Sequence, residues 1–350
     1  MSAVPDRSAH LDADVDDLLA DADRLAADGR GREAIDLLTA ANRARRDTEQ
    51  EQRLVALRHQ AFATVPRRPR AELSAEVEPE ERLGPLVPTH PDDLTVEVLR
   101  RGLAQHGCVL VRGLIPPERA DALARGIDRA IDAFDACADE PRGTSAPPWY
   151  VPFDADARKY RVGGRRAWVR ASGALWTADS PRMLFELLDV IDASGIGALV
   201  EGYFGERPAL SANKCTLRRV PVDASTNWHQ DGAFLGRDVM TLNLWLALSP
   251  CGTDAPGLDI VPRRFDGILP TGTDGAIFDW SVSPTLVEEA AGGADAIVRP
   301  EFAPGDALLF DHLFVHRTAV APGMTAERWA IETWFFGPST YPDGQIPLAY

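Results

Sequence analysis

The hydrophobic period of the chain changes at about Phe204: before it apolar residues recur at helical spacing, and after it they alternate. Leu18, Ala22 and Leu25, then Ala34, Ile35, Leu38 and Ala41, then Leu54, Leu57 and Ala61 predict three short helices between residues 12 and 64, with Gly29 and Gly31 separating the first two. From Val65 to Pro91 six prolines and clustered charges such as Pro66-Arg67-Arg68-Pro69-Arg70 interrupt any periodicity. Residues 65–91 therefore read as a linker or extended wrap between a helical segment, 1–64, and a main domain, 92–350. A helix from Asp92 to His106, an apolar strand Cys108–Val111 closed by Gly113, and a helix after Pro116-Pro117 open that domain. Residues 137–182 are irregular. There Trp149, Tyr150, Tyr160, Trp168 and Trp176 alternate with Arg158, Lys159, Arg161, Arg165, Arg166 and Arg170, as in a cleft lining or a solvated loop with aromatics tucked beneath it. One helix is expected from Arg182 to Phe204.

Period-two strands are then expected at Ala212–Val220, Val239–Ser249, Gly257–Val261, Ala296–Phe302, Asp306–Phe310, Leu313–Val320 and Arg328–Phe336, divided by Gly, Pro and Asp turns. Short strands at this spacing indicate a sandwich or barrel, so the fold class is mainly β with flanking helices. In the second strand Thr241, Asn243 and Trp245 share one face, opposite Met240, Leu242, Leu244, Leu246 and Leu248. Such a strand lines a cavity with its polar face and packs under helices with the other.

Charge and cysteine content narrow the function. A net charge of -16 and a pI near 4.9 repel nucleic acid and anionic membranes. The four cysteines, Cys108, Cys137, Cys215 and Cys251, are far apart and form no Cys-x-x-Cys, so they read as reduced buried thiols. The N-terminus has no apolar signal segment and no run of about 18 apolar residues occurs, which places the protein in the cytoplasm.

Candidate chemistry begins at Trp228-His229-Gln230-Asp231-Gly232. In extended backbone, side chains two apart face the same way, so His229 and Asp231 can offer an imidazole nitrogen and a carboxylate oxygen to one metal ion. Chance alone supplies about one His-x-Asp in a chain of this composition, so the case depends on a third ligand. Gly305-Asp306 leads to His312 and His316, which on a single strand face would lie ~13 Å apart, too far to share an ion. The turn Ala321-Pro322-Gly323-Met324 is expected to fold that strand back as a hairpin, setting residues 328 and 329 opposite His316 and residues 332 and 333 opposite His312. On that register only His316 has a cation beside it, Arg328. This selects His316 as third ligand and leaves His312 a buried neighbour. A forked guanidinium beside a metal suits the far carboxylate of a bidentate oxoacid, and Thr318, on the His316 face, can add a hydroxyl.

From about Leu94 to Pro338 the chain resembles the phytanoyl-CoA dioxygenase family of non-haem iron oxygenases. The resemblance rests on His106-Gly107-Cys108 through Gly113 and Pro116-Pro117-Glu118, Trp228 through Gly232, Asn243-Leu244-Trp245-Leu246-Ala247-Leu248, Gly257-Leu258 before Pro262, and Gly305-Asp306 through His316 to Arg328. It implies a double-stranded β-helix, or jelly-roll, core and Fe(II) held by His229, Asp231 and His316. It also implies 2-oxoglutarate held through Arg328 and Thr318, with Trp245, and Asn243 on the same face, towards it. Related halogenases carry a small residue where Asp231 stands, so hydroxylation or desaturation is implied. Where relatives read Gly-Ser-His after the proline, this chain has Pro262-Arg263-Arg264, a cationic substrate contact or a plain surface pair.

The run Gly29-Arg30-Gly31-Arg32-Glu33-Ala34-Ile35 resembles the turn and second helix of a tetratricopeptide repeat, but too little follows to build a groove. Residues 12–64 therefore read as a packed appendage, a self-association element or a docking surface for a protein partner, and as dispensable for metal and oxoacid binding. The substrate is expected to be a small molecule, anionic or carrier-bound. Two rival readings are a non-catalytic regulatory protein with a degenerate jelly roll, and a cupin-like metalloenzyme that does not use 2-oxoglutarate.

Overall fold

The computed structural model describes residues 14–68, 84–138, 145–160, 165–224 and 227–350. Residues 69–83 of the expected linker, and Arg161, lie outside these. Three helices come first: α1 Val15–Ala27, α2 Gly31–Ala44 and α3 Thr48–Ala61. Asp14 and Asp47, both in extended backbone, start α1 and α3 by accepting hydrogen bonds from the first free N–H groups. Next come α4 Val96–His106, β1 Cys108–Val111 and α5 Pro117–Ala138. Thr95 caps α4, and Gly107 ends it at φ 70°, where an added Cβ would meet the Phe314 ring at 2.9 Å. The irregular stretch holds two short helices, α6 Ala157–Tyr160 and α7 Arg165–Ala171, and a three-residue strand, β2 Ala174–Trp176.

The single helix expected up to Phe204 is two helices, α8 Pro181–Ala193 and α9 Ile196–Phe204, because Gly195 takes φ 74° and turns the chain between them. The remaining elements are β3 Ala209–Ser211, β4 Thr216–Val220, α10 Gly232–Leu235, β5 Thr241–Ala247, β6 Gly257–Ile260, α11 Pro284–Ala291, β7 Ala307–Phe310, β8 His316–Ala319, β9 Arg328–Phe336 and β10 Pro347–Ala349. Residues 296–302 form no strand. Their backbone pairs only through isolated bridges at Val298 and Phe302, with Pro300, which has no N–H to give, between them, while Arg299 pairs with Asp259 of β6.

The large sheet is antiparallel, in the order β1-β7-β5-β9-β3-β10, with β4 also paired to β9 and β2 to β4. A second sheet pairs β6 with β8. Register sorts the large sheet into two faces. Leu242, Leu244 and Leu246 share one face with Leu309, Ile331 and Phe335, and all are buried against the helices. Trp245, Leu308, Phe310, Ala330 and Trp334 are on the other, packed against Leu258 and Ile260 of the small sheet. The β5 pattern thus has the expected origin: its greasy face supports the helices and its mixed face looks into the space between the sheets. Helices α1 to α3 belong to the same apolar cluster as the helices beneath the large sheet. Glu51, fully buried on α3, pairs with Arg182 at 2.6 Å, and Arg58 donates to the Ala349 carbonyl at the C-terminal strand. No helix among the described residues is long and apolar enough to cross a membrane.

Candidate metal centre

The Trp228–Gly232 stretch is held from its back. Gln230, fully buried, donates to the carbonyls of Gly267 and Leu313 and accepts from the N–H of Leu269 at 2.7 Å. With Gln230 pinned on one side, its neighbours His229 and Asp231 face the other. His229 exchanges two backbone hydrogen bonds with His316, at 3.0 and 3.1 Å, and Gly232 N–H donates to the His312 carbonyl at 2.8 Å. A Cβ on Gly232 would meet that carbonyl oxygen at 3.0 Å, so glycine permits the close approach.

His229, Asp231 and His316 come together so that one possible ligand atom from each lies within 4.8 Å of the others. A carbonyl can only accept, so the Nδ1 atoms of His229 and His316, bonded to Asn227 O (2.9 Å) and Phe314 O (3.1 Å), carry the ring protons and leave both Nε2 lone pairs free. Burial, then the neighbouring His229, pushes His316 down to about 4, with Asp231 pulling the other way. The imidazole is neutral at pH 7, as a ligand must be.

His312 is wired differently. Its Nε2–H donates to Arg237 O at 3.1 Å and its Nδ1 accepts from the Thr241 hydroxyl at 3.0 Å, so neither nitrogen is free. Its separation from His316 is not, as the sequence suggests, that of two residues on one strand face. His312 and His316 do not share a strand: Asp311 turns the chain through bonds to Leu313 N and Phe314 N, and β8 begins only at His316.

The hairpin that selected His316 is also corrected. β8 pairs with β6, Ile260 opposite His316, while β9 pairs with β4 and β5 in the other sheet. Both edges of β8 at His316 are occupied, by Ile260 and His229, and no edge is left for β9. Residues 320–327 cross instead between the sheets, anchored where Thr325 N and Ala326 N donate to Asp254 O.

Arg328 nevertheless reaches the inter-sheet space. It is fully buried, donates to the carbonyls of Pro256 (3.2 Å) and Gly257 (2.7 Å), and lies 5.4 Å from the Trp245 ring. Gly257 begins the β6 segment opposite Ala319 and Thr318, so the guanidinium sits by the far end of β8, with Thr318 half-buried on the His316 face. Burial, reinforced by Arg218, lowers Arg328 to about 10. Among the described residues no carboxylate pairs with it directly. Asn243 Oδ1, Trp245 Nε1, Arg218 Nε and Arg328 Nε, all buried, lack hydrogen-bond partners among these residues. All four residues lie on the face of the large sheet that looks towards the small one, and such atoms gathered on one face mark a place built for a polar guest.

Several cavity residues escaped the sequence reading. Glu332 accepts from Thr216 (3.0 Å) and pairs with Arg218 (3.1 Å); burial alone would raise its carboxyl, but Arg218 and Arg328 hold it low. A lone carboxylate within Ala330-Ile331-Glu332-Thr333-Trp334 was the available signal. Phe234 and Trp280 flank His229, and Lys214 lies over the Phe234 ring. Arg263 and Arg264, by contrast, are engaged elsewhere: Arg264 pairs with Asp311, and Arg263 donates to Ala290 O.

Several solved structures align with this chain. EctD from S. alaskensis, in a structure with 2-oxoglutarate and 5-hydroxyectoine, aligns at a TM-score of 0.50 and 15% identity, over 80% of this chain and 88% of its own. AviO1 from Streptomyces viridochromogenes Tue57 gives 0.43 and 17% over 71% and 96% of the two chains. SnoK, a non-heme alpha ketoglutarate dependent carbocyclase from nogalamycin biosynthesis, gives 0.44 and 14% over 71% and 87%. At 15% identity the likeness to EctD is one of fold. No protein-family model matches the sequence, and no curated protein matches it.

Proposed function

We propose that this chain is an Fe(II)- and 2-oxoglutarate-dependent oxygenase of the phytanoyl-CoA dioxygenase type, built on a double-stranded β-helix, that hydroxylates or desaturates a small molecule. The observation that carries this reading is a pairing: two imidazoles, each with Nε2 left free, and a carboxylate converge at one end of the inter-sheet space, and a buried guanidinium with no direct counter-ion among the described residues stands in the same space. Two histidines and one carboxylate are the donor set that suits non-haem iron and leaves positions for other ligands. That EctD was solved with 2-oxoglutarate bound adds support.

Within this reading His229, Asp231 and His316 hold the metal, and Arg328, with Thr318, Asn243 and Trp245, receives the oxoacid. The bound pair supplies the oxidising chemistry, in which substrate C–H, O2 and 2-oxoglutarate give hydroxylated product, succinate and carbon dioxide. The protein's share is positional. Gln230 and the backbone bonds to residues 312 and 316 fix the ligand side chains before the metal arrives, and Phe310, 4.8 Å from His316, with Trp334 keeps bulk water from that wall. Glu332 offsets the charge of Arg218 and Arg328 while the oxoacid is away.

The test is anaerobic titration of metal-loaded protein with 2-oxoglutarate, followed by succinate formation when pooled metabolites and oxygen are added. Metal binding without 2-oxoglutarate binding would favour a cupin-like enzyme, and binding of neither would favour a regulatory role.

A further inference from the structure

We propose that Lys214 anchors an anionic group of the substrate, and that beside this anion the substrate carries a flat apolar face that lies on Phe234 and Trp280. The proposal rests on the oxygenase reading and names the class of molecule its site accepts.

Of the 37 basic residues only two are lysine, Lys159 and Lys214, so a chain that otherwise uses arginine sets an ammonium at this one place beside the metal ligands. Lys214 sits in the turn between β3 and β4, and its Nζ lies 3.6 Å from the centre of the Phe234 ring. A surface lysine ordinarily extends into water or pairs with a carboxylate. Lys214 is only partly exposed, and among the described residues it makes no ion pair with a carboxylate; its ammonium lies on the Phe234 ring instead. It is within electrostatic reach of Asp231 and Glu332, but in the proposed site Asp231 is a metal ligand, and Glu332 is engaged by Thr216 and Arg218. Burial holds the ammonium below its ordinary value, and Arg165 adds to that.

The aromatic wall is the second observation. Phe234, three residues after Asp231, stacks against His229 at 6.5 Å. Trp280 meets both rings edge-on, at 5.7 and 6.3 Å, and Phe278 lies parallel to Trp280 at 5.0 Å. Phe234 and Phe278 remain 41% and 44% exposed. Large aromatics left open together at a metal centre form an apolar patch with a function. Arg328 is committed to the other end of the space, so Lys214 is left for a second anion. A carboxylate displaces no existing pair there and gains a charge-assisted bond.

Wild-type protein loaded with metal and 2-oxoglutarate under argon is titrated calorimetrically with phenylacetate and indole-3-acetate, and with the corresponding neutral amides. The carboxylates should bind at least about tenfold more tightly than the amides. Lys214→Met should bring that ratio to within about twofold without changing 2-oxoglutarate affinity, Lys214→Arg should keep part of it, and Phe234→Leu should weaken acid and amide alike. The proposal is overturned if wild type shows no carboxylate preference, binding neither partner included. It is equally overturned if Lys214→Met keeps the preference or loses 2-oxoglutarate instead. Failure of wild type to take up metal or 2-oxoglutarate would appear at the loading step and would count against the oxygenase reading itself.

Discussion

Replacing Arg328 separates a cation that stabilises the fold from one that waits for a ligand. Its fall from the ordinary guanidinium value to about 10 corresponds, at about 1.36 kcal/mol per pH unit, to about 3 kcal/mol by which the folded protein disfavours the charged form. The sign follows from the depressed value: the cost is fully present below about pH 10 and disappears only above the ordinary guanidinium value, so at neutral pH the ligand-free protein bears all of it. An oxoacid carboxylate facing the guanidinium recovers that amount, worth about a hundredfold in affinity. Arg328→Met should therefore weaken 2-oxoglutarate binding by about 2 to 4 kcal/mol and leave metal uptake intact. Its melting temperature without oxoacid should stay within a few degrees of wild type, since the lost bonds to Pro256 O and Gly257 O are set against relief of a buried charge. The rise in melting temperature that 2-oxoglutarate gives wild type should vanish. Arg328→Lys should recover only part of the affinity, because an ammonium cannot fork. Calorimetry and thermal melting on metal-loaded protein decide the matter: unchanged 2-oxoglutarate affinity in Arg328→Met, or a large loss of stability without oxoacid, would refute the reasoning.

Other perturbations test the frame around the site. His229→Ala, Asp231→Ala and His316→Ala should each abolish tight metal uptake by elemental analysis, whereas His312→Ala should keep the metal with affinity reduced by no more than about 10- to 100-fold; the reverse ranking would show that the wrong histidine has been assigned. Asp306 is buried and accepts from Arg112, Gly113 N and Ala303 N, so Asp306→Ala should cost about 3 kcal/mol in denaturant melts, and a loss below about 1 kcal/mol would contradict that accounting. Residues 1–64 read from the sequence as dispensable for metal and oxoacid binding, but removing them uncovers the surfaces that Leu54, Val55 and Leu57 cover and leaves Arg182 without Glu51, a loss of several kcal/mol in total; the truncated chain should precipitate or melt far below the full chain, and equal melting would show that this packing counts for little.

Much of the fold was legible because burial imposes a period. The alternation in β5 separates helix-facing leucines from the cavity face without reference to any partner strand, and Gly113 and the Pro116-Pro117 pair mark element ends locally, whereas the first helix of the main domain begins at Val96, capped by the Thr95 hydroxyl, and not at the expected Asp92. What periodicity cannot supply is pairing. A turn between two strands looks the same whether the second folds back beside the first or crosses to another sheet, and β8 to β9 is the second case. The break at Gly195 was hidden for a related reason, since apolar spacing continues on both sides of it and only the backbone angle shows the bend.

The same limit explains which site residues could be read. His229 and Asp231 are brought together by two-residue spacing alone, a local property. His316 and Arg328 were joined by a hairpin that does not form, yet both reach the inter-sheet space: His316 because backbone bonds tie it to His229, Arg328 because it opens the inner face of β9. Both therefore reach that space by routes other than the hairpin, and Arg328 lies towards the far end of β8 and not beside His316. Lys214, Arg218 and Glu332 were out of reach because each is an ordinary charged residue until register turns it inward. Arg218 and Arg219 are adjacent in sequence, but one faces Glu332 in the cavity and the other pairs with Glu327 at a half-exposed site. Strand parity separates them, and it is fixed only when β4 finds β9.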